Sequence, residues 1–323
     1  MSAEPEGRPP VADLPDVIIA TLPTEHAISS PDDAIESKPG KRKRLVFVGD
    51  VHGHLSALQA LLEKISFDHH HGDHLVFAGD IVTKGPDSAG VIKLAMDVGA
   101  SGVRGNHDDN VLLAHKGLQK KKKKKQHRKK KKYHKSIDSK HVDHARAVAR
   151  SLSPKQIRWL SSLPIVLRIG QVTNATSEDM PWDAGEIVVV HAGLVPGVPL
   201  EEQDPWAMMN MRTLLYPDLK STSDTSSDED ALPDDTLSAT RDEDSEQSTS
   251  TTDDLLTVPS DTRHGEPWSR AWNLTKGIRY AFGIDSGCGH GRQLTALVLE
   301  AGPRPEDGVL HHIEQVECGE VEK

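Results

Sequence analysis

Apolar and polar positions begin to alternate regularly at residue 45. LVFVG (45–49), HLVFAG (74–79) and GVRG (102–105) are short apolar runs that end in glycine, the pattern of buried strands. Between them, LSALQALLEKI (55–65) and SAGVIKLAM (88–96) space their apolar residues at a helical period. Strands alternating with helices in this way predict a parallel sheet with crossover helices. Farther along, HARAVARSL (144–152) and SPKQIRWLSSL (153–163) read as helices, the second opened by Ser153 as N-cap and Pro154 at the first turn. EIVVV (186–190) is a strand ending at His191, and QLTALVLE (293–300) with VLHHIEQVE (309–317) predicts a terminal antiparallel hairpin.

Three segments break this pattern. Residues 1–44 are rich in Pro, Glu, Asp and Ser apart from VIIATL (17–22), and read as a disordered tail. Residues 116–135 (KGLQKKKKKKQHRKKKKYHK) are too charged to pack and read as a polybasic insertion. Residues 218–262 form an acidic Ser/Thr-rich block whose composition cannot offset the entropy of ordering, with Ser and Thr that suit phosphorylation. The expected domain is therefore 45–302, carrying both insertions, followed by a C-terminal strand and tail at 303–323.

Composition adds limits to this outline. The apolar fraction of 36% is low for 323 residues, as expected if part of the chain lies outside the core. The formal charge of −10 is misleading as an average, because basic and acidic residues are segregated. Cys288 and Cys318 cannot form a multi-bridge scaffold and fit a reducing compartment. With no apolar stretch of about 20 residues and no signal-like start, the sequence predicts a protein without membrane contact, cytoplasmic or, given the lysines, nuclear.

The chemistry lies where the strands stop. GDVHGH (49–54), GDIVTKGPDS (79–88), RGNHDD (104–109) and HAGL (191–194) each follow a strand. Ligands of parallel sheets bind beyond the carboxyl ends of the strands, so Asp50, His52, Asp80, Asn106, His107 and His191 should meet in one crevice. Carboxylate, imidazole and amide oxygen suit two divalent ions such as manganese, iron or zinc. Asp80 would be the shared ligand, with Asp50 and His52 on one ion and Asn106 and His191 on the other. Such a pair of ions acidifies water and stabilises in-line displacement at phosphorus. His107 is then the candidate acid for the leaving oxygen, with Arg104 and Lys84 as candidate phosphate-binding groups.

These four motifs, together with GIDSGCGHGRQLTALVLE (283–300), resemble the calcineurin-like metallophosphoesterases, in particular the branch of diadenosine tetraphosphatases, bacterial-type protein phosphatases and zinc-dependent endopolyphosphatases. The resemblance implies a double-sheet α/β sandwich flanked by helices, the ligand roles above, and His107 as acid.

Two departures accompany it. The branch usually carries a Gly-His-Asp segment whose His completes the second metal site, but here Ala271, Trp272 and Asn273 run directly into LTKGIRYAFGIDSGC. His290 is the candidate substitute, and His264 a weaker one. Thr83 stands where protein phosphatases of the family have an Asp that orients the acid. The lysine run reads either as a solvated insertion or as a contact for polyanions, nucleic acid or the acidic block. Histidines 69, 70, 71 and 74 read as a solvated loop. The favoured substrate at this stage is inorganic polyphosphate, with dinucleoside polyphosphates and phosphoproteins as alternatives. A scaffold that binds phosphate-rich partners without turnover is the reading from another class.

Overall fold

The computed structural model describes residues 10–26, 43–125, 139–171, 186–215, 258–268, 281–301 and 309–319. Among them run strands β1 (Ile19–Thr21), β2 (Arg44–Val48), β3 (His74–Phe77), β4 (Ser101–Gly102), β5 (Val166–Gln171), β6 (Glu186–Val190), β7 (Thr213–Leu215), β8 (Val258–Ser260), β9 (Glu266–Pro267), β10 (Gln293–Ala301) and β11 (Val309–Glu317). The helices are α1 (Leu55–Lys64), α2 (Ser88–Asp97), α3 (Asn106–Lys125), α4 (Ser139–Ser151), α5 (Pro154–Ser162) and α6 (Pro205–Asn210).

The LVFV run is uniformly apolar because β2 is buried on both faces. Val46 and Val48 pack with Leu75, Phe77, Ala296 and Val298 into a core shared with α1 to α5. Leu45 and Phe47 point the other way and meet Leu167, Ile169 and Val189 of β5 and β6, so a second core lies between two sheets. Burying each such side chain contributes about 1.5–3 kcal/mol. The larger sheet has the order β11-β10-β2-β3-β4, with β2, β3 and β4 parallel and β10 antiparallel to β2; the smaller is β1-β5-β6. This is the double-sheet α/β arrangement flanked by helices that the resemblance implies. The terminal hairpin forms as β10 and β11, paired from Gln293↔Glu317 to Ala301↔Val309. Ser153 caps α5 in a full capping box with Gln156.

Several expectations are corrected. Part of the supposed disordered tail is ordered: VIIATL supplies β1, parallel to β5, and Leu22 is buried between the sheets. An apolar run this short adds a strand where an edge is available to pair it. The polybasic segment does not interrupt the fold at residue 116, since α3 continues through Lys125. Residues 126–135 lie outside the described residues. So does the acidic block as far as residue 257, but its last residues supply β8, which pairs with β7 in a third small sheet of order β8-β7-β9. Cys288 and Cys318, read from the sequence as fitting a reducing compartment, are joined as a disulfide with Cα atoms 5.4 Å apart. The bond ties the loop before β10 to the end of β11. No described helix is long and apolar enough to cross a membrane.

Candidate metal centre

Asp50 and His52 follow β2, Asp80 follows β3, and His191 follows β6 of the other sheet, so the site forms where the ends of both sheets meet. His52 Nε2 lies 3.6 Å from Asp50 Oδ2 and 3.6 Å from Asp80 Oδ2. His191 Nε2 lies 3.5 Å from Asp80 Oδ1, and its Nδ1 lies 3.8 Å from Asp50 Oδ1. Two groups of ligand atoms each fit within 4.8 Å: His52, Asp80 and His107, and Asp50, Asp80 and His191. Asp80 belongs to both. The division differs from the expected one, because His191 groups with Asp50 as well as Asp80, and His107 stands beside His52 with ring centroids 4.8 Å apart.

The backbone around these groups is unusual. His52 (φ 48°), Asp80 (φ 48°), Thr83 (φ 79°) and Lys84 (φ 54°) all occupy the left-handed region that non-glycine residues avoid. Strain concentrated at one place in this way is typical of functional loops held by their surroundings. At Gly79 (φ 98°) a Cβ would lie 2.6 Å from His191 Nδ1, so the loop after β3 can approach the second sheet only without a side chain.

The donor set fits divalent ions. A backbone carbonyl accepts only, so His52 Nδ1 donates to Val82 O at 3.3 Å and His191 Nδ1 donates to Ala78 O at 3.0 Å. Both imidazoles therefore turn the Nε2 lone pair toward the carboxylates, the usual way a metal-binding histidine is fixed. Burial, then the nearby charge of Asp80, pushes the Asp50 carboxyl well above the usual carboxylate range. Burial acts on Asp80 in the same direction, yet His191, His107 and His52 hold it below that range. His52 is pushed down to about 3, chiefly by burial, and stays neutral as a ligand must. Two carboxylates facing imidazoles at close range form an arrangement suited to divalent cations. Lys84 already brings one positive group there, its Nζ 2.6 Å from His52 Nε2.

Arg104 does not reach this centre, contrary to expectation. It is fully buried and donates to Asp13 O at 3.0 Å, Ser161 O at 2.6 Å and Asp109 Oδ1 at 3.3 Å. It thereby ties the N-terminal segment and the end of α5 to the start of α3. Preceding the Asn-His pair places an arginine near the site without fixing which way it turns. His290 is exposed, and His264 is exposed beside β9; neither joins a group of metal-ligand atoms among the described residues. The loop at 287–291 contributes through Gly289 instead, whose backbone packs so closely on His52 and Lys84 that a side chain would collide with both. Residues 269–280, which contain the Ala271–Asn273 stretch expected to precede the missing segment, lie outside the described residues.

Two groups gain importance from the structure. Thr83 Oγ1 lies 2.9 Å from His107 Nδ1. Asp108 is fully buried and accepts from Ile81 N (3.0 Å), Val82 N (3.2 Å) and Gly105 N (3.0 Å), clamping the loop after β3 to the start of α3. Burial, followed by the charge of Asp80, pushes Asp108 up to about 7. The consecutive acids of RGNHDD were the available signal for Asp108, but sequence cannot say that both turn inward or which partner each meets. Asn106 opens α3, and His107 N donates to Asp80 Oδ1 at 2.9 Å. Beside Asn106 lies an open cleft of about 270 Å³.

Comparison with known proteins agrees with this geometry. The calcineurin-like phosphoesterase family model matches residues 43–290. The symmetrical bis(5'-nucleosyl)-tetraphosphatase of Hamiltonella defensa subsp. Acyrthosiphon pisum is 41% identical over 75 residues, covering 23% of this chain and 27% of that protein. The protein of the same description from Vibrio parahaemolyticus serotype O3:K6 is 27% identical over 190 residues, covering 53% of this chain and 58% of its own length. The chain thus spans less than two thirds of these curated relatives. A crystal structure provisionally described as a diadenosine tetraphosphatase superposes with a TM-score of 0.55 at 23% identity, covering 93% of this chain and 98% of the other, which establishes a shared fold.

Proposed function

Because the chain belongs to the calcineurin-like phosphoesterase family, we propose that it is a divalent-metal-dependent hydrolase of phosphoanhydride bonds whose substrate is a dinucleoside polyphosphate. The observation that carries the reading is Asp80, common to two compact groups of ligand atoms, with His52 and His107 in one and Asp50 and His191 in the other. Asp50, His52, Asp80, His191 and Asn106 would hold two divalent ions; manganese, zinc and iron all suit these donors. Bound there, such a pair supplies a water acidified toward a pKa of about 7 and charge to stabilise in-line attack at phosphorus.

The remaining roles fall to protein groups. His107 is suited to protonate the departing phosphate oxygen, and Thr83 holds its Nδ1. Lys84 adds positive charge beside His52, where a phosphate oxygen would approach. The curated relatives named above favour a dinucleotide over the inorganic polyphosphate that the sequence alone suggests. Polyphosphate keeps one observation in its favour: α3 begins at Asn106 and His107 and continues without a break into the lysines.

The test is hydrolysis by manganese-loaded protein of diadenosine tetraphosphate, long-chain polyphosphate and a phosphopeptide, each with and without EDTA. EDTA-sensitive cleavage of the dinucleotide, faster than of the others, is expected. Cleavage of polyphosphate or phosphopeptide with the dinucleotide intact would reassign the substrate. Binding of all three without cleavage would indicate a phosphoesterase-like scaffold.

A further inference from the structure

The cleft beside Asn106 belongs to none of the roles assigned above, although Asn106 places it next to the metal centre. It is lined on one side by α3, where Asn110 stands one turn beyond Asn106, and on the other by α6, carrying Trp206 and Asn210, and by Arg212 in the link to β7. Asp109 and Asp261 complete the polar lining. Asn106 lines the cleft and opens α3 beside His107, whose N–H donates to Asp80 Oδ1, so the cleft adjoins the centre.

The composition of this cleft selects the kind of group that fits. Among the described residues, Arg212 is the single cation of the lining, against two carboxylates. The charge of Asp109 is already met by Arg104 behind it and by the Ala12 N–H, 2.8 Å from Oδ2. A run of phosphates, each carrying about one negative charge, would find no surplus of positive charge here. Two carboxamides, Asn110 and Asn210, present a different surface. Asn210 gives one amide hydrogen to Trp206 O at 2.9 Å and keeps its oxygen and other hydrogen, and a carboxamide's acceptor oxygen and donor N–H side by side complement a nucleobase edge, as in the pairing of asparagine with adenine. Trp206, buried in the small core beneath, forms the apolar part of the lining. About 270 Å³ falls just below the range of roughly 300–1,000 Å³ usual for ligand pockets, which suits one end of a dinucleotide and not the whole of it.

We propose that this cleft is a nucleoside subsite, in which the carboxamides of Asn110 and Asn210 read the base while the first phosphate leads past Asn106 to the metal centre. The proposal deepens the dinucleotide reading and rests on it for the identity of the natural substrate. It makes the polyphosphatase alternative less favourable, because a subsite lined this way discriminates in favour of a base.

The experiment separates the subsite from the reaction. Affinities of adenosine 5'-monophosphate and ribose 5-phosphate for the manganese-loaded full-length chain are measured by calorimetry, alongside hydrolysis of diadenosine tetraphosphate. Asn110→Ala is the variant of choice, since Asn110 is exposed on a helix and alanine favours the helix. Adenosine 5'-monophosphate should bind at least about tenfold more tightly than ribose 5-phosphate, equivalent to about 1.4 kcal/mol, and Asn110→Ala and Arg212→Gln should each shrink that ratio. Equal affinity for the two ligands in the unaltered chain, or a ratio unchanged in both variants, would overturn the subsite even if the dinucleotide is hydrolysed. A preference for the base with no dinucleotide cleavage would support the subsite and defeat the hydrolase reading alone.

Discussion

The hydroxyl of Thr83 lies 2.9 Å from Nδ1 of His107, and Thr83 reaches that position with a φ of 79°, a conformation that β-branched residues avoid. The threonine thus holds one ring nitrogen of the candidate acid. Replacing Thr83 by the isosteric Val should lower kcat by roughly tenfold to a hundredfold with KM little changed, while Ser should largely restore it. Thr83→Gly should be slightly more stable, by about 1 kcal/mol, and less active, since it relieves the backbone and removes the contact. Steady-state kinetics with thermal melts check both; an unaltered kcat in Thr83→Val would remove Thr83 from the reaction.

Arg104 makes an opposite prediction to the one its place in the motif suggests. Arg104→Ala strands the buried Asp109 carboxylate and two backbone carbonyls, and should cost about 3–5 kcal/mol in urea unfolding. KM at permissive temperature should change little. A large rise in KM with unchanged stability would restore Arg104 as a phosphate-holding group.

Stability should fall on mild acidification through His74. Burial, helped by the charge of His26 stacked 3.8 Å away, pushes its pKa down to about 4 from the ordinary value near 6.5. Between those values the unfolded chain takes up a proton that the folded chain refuses, so stability is lost as pH drops from about 6.5 to about 4. His74→Gln should flatten the decline in Tm over that window relative to the unaltered protein. Parallel curves would exclude His74 as a source of the dependence.

The Cys288–Cys318 bond closes a loop with a sequence separation of 30, which in the chain-entropy description stabilises by about 3–4 kcal/mol. Dithiothreitol should therefore lower Tm markedly in the unaltered chain and leave Cys318→Ser, already lowered, where it is. Because Gly289 packs on His52 and Lys84, reduction should also weaken metal retention. Insensitivity of Tm to reductant would mean the two sulfurs are not bonded in solution.

What the sequence made legible follows from which signals are local. Strand ends and helix starts are written in adjacent residues, so β2, α1, β3, α2, the capped α5 and the β10–β11 hairpin were predictable, as was the convergence of Asp50, His52, Asp80 and His191. Side-chain direction is not local. Arg104 and Asp108 flank the same Asn-His pair, yet both turn into the protein, because Asp109, Ser161 and the loop after β3 offer partners from far along the chain. Likewise β1 exists because β5 offers an edge, which VIIATL alone cannot reveal.

The account turns on Asp80 as a ligand shared between two ions. The most direct measurement is the number of divalent metals per chain, by elemental analysis of protein equilibrated with buffered manganese, for the unaltered chain and for Asp80→Asn. Two per chain, falling to fewer than one in Asp80→Asn, is the predicted result. One or none in the unaltered chain, or two retained in the variant, would contradict it.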